Sequence, residues 1–226
     1  KDQKTSYAGS SDLSIEILHK LIESSLQRVE YTNADEYAGL PEKQDTTLDS
    51  EELDLYDPFI MEMESRDKLE LALAAEEAAL ADSRISNSHG ASFETREVSS
   101  YLVNSKGFSG CSKESFFGLG VGLQAGKTDD KVEGYWSTTS RFFSGLETPD
   151  EVARKAVERT VRQLNPRKIH TEKIPVIFEP NMTSWLMGFL FICISGTSVY
   201  QKSTFLADRL GSVIGDKNIT VMDDGL

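Results

Sequence analysis

Four stretches of the chain repeat apolar residues at helical spacing. Residues 10–31 return Leu and Ile to one face, and residues 65–81 carry a narrower stripe rich in alanine. Thr148, with glutamate three positions later and proline between them, is the signature of a capping box ahead of a helix at 149–164. A fourth run, at about 183–194, is almost wholly apolar, which predicts a buried helix.

The pattern changes between residues 84 and 146, where Ser, Thr, Gly and aromatic residues dominate. Two similar turn sequences, 87–90 and 104–107, bracket a segment of strand length. Residues 116–124 alternate glycines with larger apolar side chains, which indicates a strand closely approached on its glycine side. A further strand at about 132–142 completes a predicted antiparallel meander.

Shorter signals surround these elements. Residues 174–178 are apolar and end at a proline, which predicts a buried strand, and a short strand is expected near 219–222. Residues 5–8 could end another strand. The acidic, Pro- and Gly-interrupted segment 33–58 predicts a long surface connection.

Together these elements predict an α+β fold with helices packed on mixed or antiparallel sheets. We divide the chain into an N-terminal α/β domain at 1–83, containing the acidic loop, and a β-rich middle domain at 84–170. Residues 171–226 are expected to begin a C-terminal domain.

Charge and cysteine content narrow the class of protein. The formal net charge of −13 opposes binding to nucleic acid or to anionic lipid, and the few basic residues at 159–168 are flanked by Glu158 and Glu172. Two widely separated cysteines, in a chain without a signal-like start, favour a reducing compartment, so a cytoplasmic location is expected. The longest apolar run, 185–194, is well short of the ~20 residues that a membrane helix needs.

Local motifs for catalysis are weak. A string resembling a phosphate-binding loop at 122–128 lacks the first glycine at the required spacing, and the three histidines are scattered, so the residues suggest neither a nucleotide site nor a metal site. A self-contained hydrolase is one rival hypothesis, and it would need Cys111 or Ser109 as its nucleophile.

Longer strings resemble a known family, and they occur in that family's order. They are AGSSDLS (8–14), YAGLP (37–41), LDLYDP (53–58), RISNSHGAS (84–92), NSKGFSG (104–110), PVIFEP (175–180) and VYQKSTFLADRLG (199–211). In these strings the chain resembles the PmbA/TldE subunit of the TldD/PmbA peptidase family, so-called modulators of DNA gyrase. Members are about twice as long, which implies that opening strands and most of a C-terminal domain lie outside this sequence.

The resemblance also implies which of the two subunit types binds zinc. In the TldD-type subunit, the helix after the PVIFEP-like strand carries H-E-x-x-x-H, in which two histidines bind zinc and a glutamate activates water. Here the corresponding helix contains neither His nor Glu, and no histidine follows His170. The family therefore implies a chain without cofactor or catalytic residue, and a zinc-bearing TldD-like partner.

The expected function is that of the non-metal subunit of a heterodimeric zinc metallopeptidase. Its substrates would be unfolded or small peptides, as in leader-peptide maturation and antitoxin degradation, and the isolated chain could form a homodimer. The alternative is a regulatory protein-binding module of the gyrase-modulator type. Partner or peptide contacts are expected in the most diagnostic string, at Tyr200, Lys202, Ser203, Phe205 and Leu206.

Overall fold

The computed structural model describes residues 2–40, 53–127 and 130–222. Five α-helices occur in these residues: α1 (Ile15–Val29), α2 (Ser65–Leu80), α3 (Pro149–Val161), α4 (Pro180–Ile194) and α5 (Gly196–Tyr200). Three strands, β1 (Ile85–Val103), β2 (Ser109–Ala125) and β3 (Val132–Ser140), form an antiparallel sheet in that order. Short 3₁₀ helices lie at Pro58–Met61 and Phe143–Gly145. The α+β class is confirmed.

The chain forms two compact units, Lys1–Asn165 and Pro166–Leu226. The division falls near the predicted boundary at 170. The boundary predicted after residue 83 falls between α2 and β1, which share the core of the first unit.

The main core of the first unit lies between the sheet and the helices α2 and α3. The odd-numbered side chains of β2 from Leu119 to Ala125 point into it, while the glycines between them point to the opposite face, as the alternation predicted. Its fully buried or nearly buried members include Ala75, Ala79, Leu119, Val121, Leu123, Val152 and Ala156.

A second cluster joins the 53–58 segment to the sheet. One Asp57 oxygen accepts a hydrogen bond from the Phe59 amide at 3.0 Å and the other accepts from the Phe143 amide at 2.9 Å. The Asp57 amide in turn donates to the Ser115 hydroxyl at 2.8 Å. This end of the predicted acidic connection is therefore anchored to the fold, while residues 41–52 of that connection lie outside the described residues.

Helix boundaries follow local capping chemistry. The Thr148–Glu151 capping box is formed as predicted, and it starts α3 at Pro149. In α2 the N-cap is Glu64, which forms a capping box with Asp67, so the helix begins at Ser65, where the predicted stripe begins.

Four expectations about strands and turns were wrong. Residues 87–90 do not form a turn, because they lie inside β1, where the register with β2 shifts and Gly90 has a φ of 103°. Only the second predicted turn, at 104–107, joins β1 to β2. Residues 174–178, 219–222 and 5–8 form no strand, since no neighbouring strand in the described part of the chain offers them a ladder of hydrogen bonds.

Candidate functional site

The helix that follows residues 174–178 is the first part of the candidate site. Proline at the first turn of α4 suits a helix start, because its missing N–H would have no helical partner there. The helix is apolar on every side, yet Cys193 is its one buried residue. Trp185 is 71% exposed and Phe189 54% exposed, so the prediction of a buried helix was wrong. Its apolar surface is open within the described part of the chain.

An apolar groove of about 470 Å³ runs beside α4. One wall is formed by helix side chains and the other by the stretch 213–221, which no pattern in the sequence connects with the helix. Its main apolar lining residues are Met187, Leu190, Phe191, Ile194, Val213 and Ile219. The groove can accept apolar side chains, and among its described lining residues Asp216 carries the one charged side chain.

The diagnostic string begins at α5, and its backbone forms a defined turn. Ser195 caps the helix by accepting from the Ser198 amide at 3.3 Å. At the other end the Ser203 amide donates to the Ser198 carbonyl at 3.0 Å, and the Lys202 amide donates to the Val199 carbonyl at 3.1 Å. This pair of bonds is a Schellman motif.

Lys202 takes the position that glycine usually holds in such a motif. Its φ of 52° lies in the left-handed region, which a non-glycine residue seldom adopts. Without a glycine as signal, the sequence pattern could not show this turn.

The turn places most of the predicted contact residues on the surface. Tyr200 is 88% exposed and Phe205 71% exposed, Lys202 and Ser203 are exposed, and Leu206 is half-buried. All five lie within one short stretch of the second unit. Their assignment as partner or peptide contacts stays a prediction.

Metal ligands and nucleophiles are not assembled in the parts of the chain that the structure describes. Residues 2–40, 53–127 and 130–222 contain no group of three His, Cys, Asp or Glu side chains that could hold a metal ion. The side chains in these three ranges therefore do not fit a zinc site.

The rival nucleophile Cys111 is exposed on β2. The histidine on the same sheet, His89, lies beside Gly122. Eleven residues of strand separate that point from Cys111, a distance of roughly 35 Å. His89 therefore cannot activate the thiol.

Family models match most of the chain. Residues 61–164 match the model described as the PmbA/TldA metallopeptidase central domain, and residues 171–226 match the model described as the PmbA/TldA metallopeptidase C-terminal domain. The chain belongs to the PmbA/TldD family. The central-domain match covers α2, the sheet and α3, and the C-terminal match covers α4, α5 and the turn after α5.

Individual PmbA relatives agree with this assignment. The metalloprotease PmbA of Escherichia coli O157:H7 is 37% identical over 92% of this chain, and the PmbA homologue of Haemophilus influenzae is 35% identical over 94%. These matches cover 46% and 47% of the two relatives, so the chain spans about half of their length.

Solved structures show the same fold. A Bacteroides thetaiotaomicron protein described as a candidate modulator of DNA gyrase superposes with a TM-score of 0.79 at 25% identity. The match covers 93% of this chain and 48% of that one. TldE from Thermococcus kodakarensis superposes with a TM-score of 0.67 at 18% identity, covering 92% of this chain and 46% of that one.

Proposed function

We propose that this chain is part of the non-metal subunit of a TldD/TldE-type heterodimeric zinc metallopeptidase. The observation that carries the proposal is the sequence of α4, PNMTSWLMGFLFICI, within the match to the metallopeptidase C-terminal domain. A helix without His or Glu cannot supply the two histidines and the glutamate that zinc peptidase chemistry uses. The zinc would then belong to a TldD-like partner.

The exposed apolar surface supports a role in binding. The groove beside α4 and the exposed Tyr200 and Phe205 lie in the second unit, where an apolar partner surface or an extended peptide could be bound. Unfolded and small peptides are the proposed substrates. No helix in the described residues is long and apolar enough to cross a membrane, and a cytoplasmic location is part of the proposal.

The test is a reconstitution with the full-length protein. Its peptidase activity on an unfolded substrate is measured alone and mixed with a TldD-like chain from the same source, and the zinc content of each chain is determined. We expect cleavage by the mixture only, with zinc following the partner. Cleavage or stoichiometric zinc in this chain alone would overturn the proposal.

Variants of the exposed contact residues make the test specific. Tyr200→Ala and Phe205→Ala in the full-length protein are expected to weaken activation of the partner, because both side chains are largely exposed and neither is part of a described core. Tyr7→Ala, which removes an equally exposed tyrosine (88%) in the first unit, is the matched control.

The regulatory alternative rests on the description of the Bacteroides relative as a candidate modulator of DNA gyrase. A net charge of −13 disfavours direct contact with DNA and leaves a protein partner as the target. Affinity capture with the full-length protein separates the two proposals. Recovery of gyrase without a TldD-like chain would favour regulation, and recovery of the TldD-like chain would favour the peptidase subunit.

A further inference from the structure

A row of basic side chains lies along one side of α3, in a chain whose net charge is −13. Lys155, Arg159 and Arg162 follow one another at intervals of four and three residues, which is the spacing of neighbours on one side of a helix. Arg159 lies in the last turn, where a cation complements the helix dipole. The dipole does not account for Lys155, which lies in the middle of the helix.

Trp136 of β3 lies against this side of α3 and is held there by hydrogen bonds. Its indole N–H donates to one Glu147 oxygen at 3.0 Å, and Lys155 donates to the other oxygen at 2.8 Å. The Lys155 nitrogen and the Arg159 guanidinium carbon each lie 5.0 Å from the centroid of the indole ring, within the range of cation–π attraction. One carboxylate therefore fixes both the ring and the lysine.

A pocket of about 420 Å³ opens where the indole ring meets the basic row. Its described lining residues are Trp136, Lys155, Glu158, Arg159 and Arg162, all of which belong to the first unit. The volume lies within the range of ligand-binding pockets. Three of these side chains are cationic and one is a carboxylate, so the pocket attracts an anion although the chain as a whole is acidic.

The charges and the aromatic wall indicate which anion fits. Glu158 and Glu147 offset part of the positive charge, and Glu158 is itself paired with Arg154 at 2.9 Å. A small excess of positive charge suits a carboxylate, with its single charge, better than a phosphate group, which carries about two charges. Arginine side chains bind carboxylates through two parallel hydrogen bonds, and an indole ring can cover the methylene groups beside the carboxylate.

We propose that this pocket binds a carboxylate group of a peptide, either an acidic side chain or the C-terminal carboxylate. Arg159 and Arg162 would donate to the carboxylate oxygens, and Trp136 would cover the adjacent methylene groups. Each guanidinium has five N–H donors, so an arginine can bind the carboxylate while it keeps another partner. This inference is independent of the proposed peptidase role, because binding is expected without a TldD-like chain.

Fluorescence anisotropy of labelled peptides, with the full-length protein alone, tests the proposal. One peptide has a central glutamate and an amidated C-terminus, a second has glutamine there and a free C-terminal carboxylate, and a third has glutamine and an amidated C-terminus. We expect the third to bind at least about tenfold more weakly than the better of the other two, which identifies the source of the carboxylate. Equal binding of all three, or binding of inorganic phosphate in place of the peptides, would overturn the proposal.

Variants test whether binding occurs in this pocket. Arg159→Gln removes a charged donor and should weaken binding of the better peptide by about tenfold. Arg66→Gln, which neutralises an exposed arginine of α2 that does not line the pocket, is the matched control and should leave the affinity unchanged.

Glu158→Gln removes the carboxylate from the described lining and should tighten binding by about threefold, a gain that misfolding cannot produce. A full-length protein that binds none of the peptides would contradict the proposal. Equal effects of Arg159→Gln and Arg66→Gln, or weaker binding by Glu158→Gln, would contradict it as well.

Discussion

Where β3 meets α3, a residue without a side chain determines how closely the two elements approach. A Cβ on Gly134 would lie 2.6 Å from the Thr160 hydroxyl and 2.9 Å from the Thr160 Cα. Thr160 is fully buried, and its hydroxyl donates to the Ala156 carbonyl at 2.7 Å. Neither the helix backbone nor this hydroxyl can move without disturbing the core, so the contact depends on glycine at 134.

Gly134→Ala should therefore destabilise the protein. Overpacking of this kind typically costs about 1–3 kcal/mol, and we expect a loss in that range in the free energy of unfolding measured with denaturant. Gly122→Ala is the matched control, because its added Cβ would meet only the His89 Cβ at 3.4 Å, an ordinary contact. Equal stabilities of the two variants would contradict this account of the β3–α3 contact.

A second prediction at residue scale concerns pH. Hydrogen bonds from the Arg84 side chain and backbone lower the Asp82 pKa from 3.8 to about 2. Because the folded pKa is the lower one, ionised Asp82 stabilises the fold at pH values above 3.8, and that contribution is lost as the pH falls toward about 2. The stability difference between the parent and Asp82→Asn should be constant near neutral pH and shrink below pH 3.8.

Denaturant unfolding at a series of pH values checks the Asp82 prediction. Arg84→Gln removes the donor side chain, so the stability difference between the parent and this variant should show the same pH dependence. Combining Arg84→Gln with Asp82→Asn should lower the free energy of unfolding little further than Asp82→Asn alone. A parent–Asp82→Asn difference that grows on acidification would refute it.

At the scale of whole elements, α3 shows what a sequence can predict. Its start is determined by Thr148 and Glu151, which are three residues apart, so the information is local. The hydrogen bonds from the Thr148 amide and hydroxyl also lower the Glu151 pKa. The Glu151 side chain of the capping box therefore stays ionised at a lower pH than an ordinary glutamate does. Elements of this kind could be placed from the sequence, as could β2 with its alternating glycines.

Loss of the cap should be measurable in the unfolding of the first unit. Thr148→Ala removes the side chain that accepts from the Glu151 amide at 3.3 Å, and such caps contribute about 1 kcal/mol. We expect a loss of that size in denaturant unfolding followed by circular dichroism. Thr171→Ala, at an exposed position outside any helix or strand, serves as the control and should leave stability unchanged. An equal effect of both changes would show that the capping box is not what stabilises α3.

The elements that the sequence misplaced depend on distant residues. A strand at 174–178 needs a neighbour to pair with, and its apolar composition carries no information about whether one is present; Ile177 is 98% exposed. The prediction that α4 is buried was wrong for the same reason. In the candidate site, the exposure of Tyr200 and Phe205 and the left-handed turn at Lys202 were not predictable, because that turn lacks the usual glycine.

For the whole molecule, the two units differ in how much apolar surface they bury. Both clusters of buried core residues lie between Ile60 and Val157, within the first unit. In the second unit, Cys193 is the one buried apolar residue in the described range 166–222. Since burial of apolar surface is the main driving force of folding, the first unit contains the stabilising core of this chain.

A chain ending at Asn165 should consequently fold by itself. All members of the two buried clusters and their partly buried neighbours, up to Leu164, are retained in it. We expect a single cooperative unfolding transition, with Gly134→Ala lowering its midpoint as in the 226-residue chain. Thermal unfolding followed by circular dichroism measures both the cooperativity of the transition and its midpoint. If residues 1–165 gave no cooperative transition, the second unit would have to stabilise the first through contacts beyond these clusters, and the core assignment would need to include residues after 165.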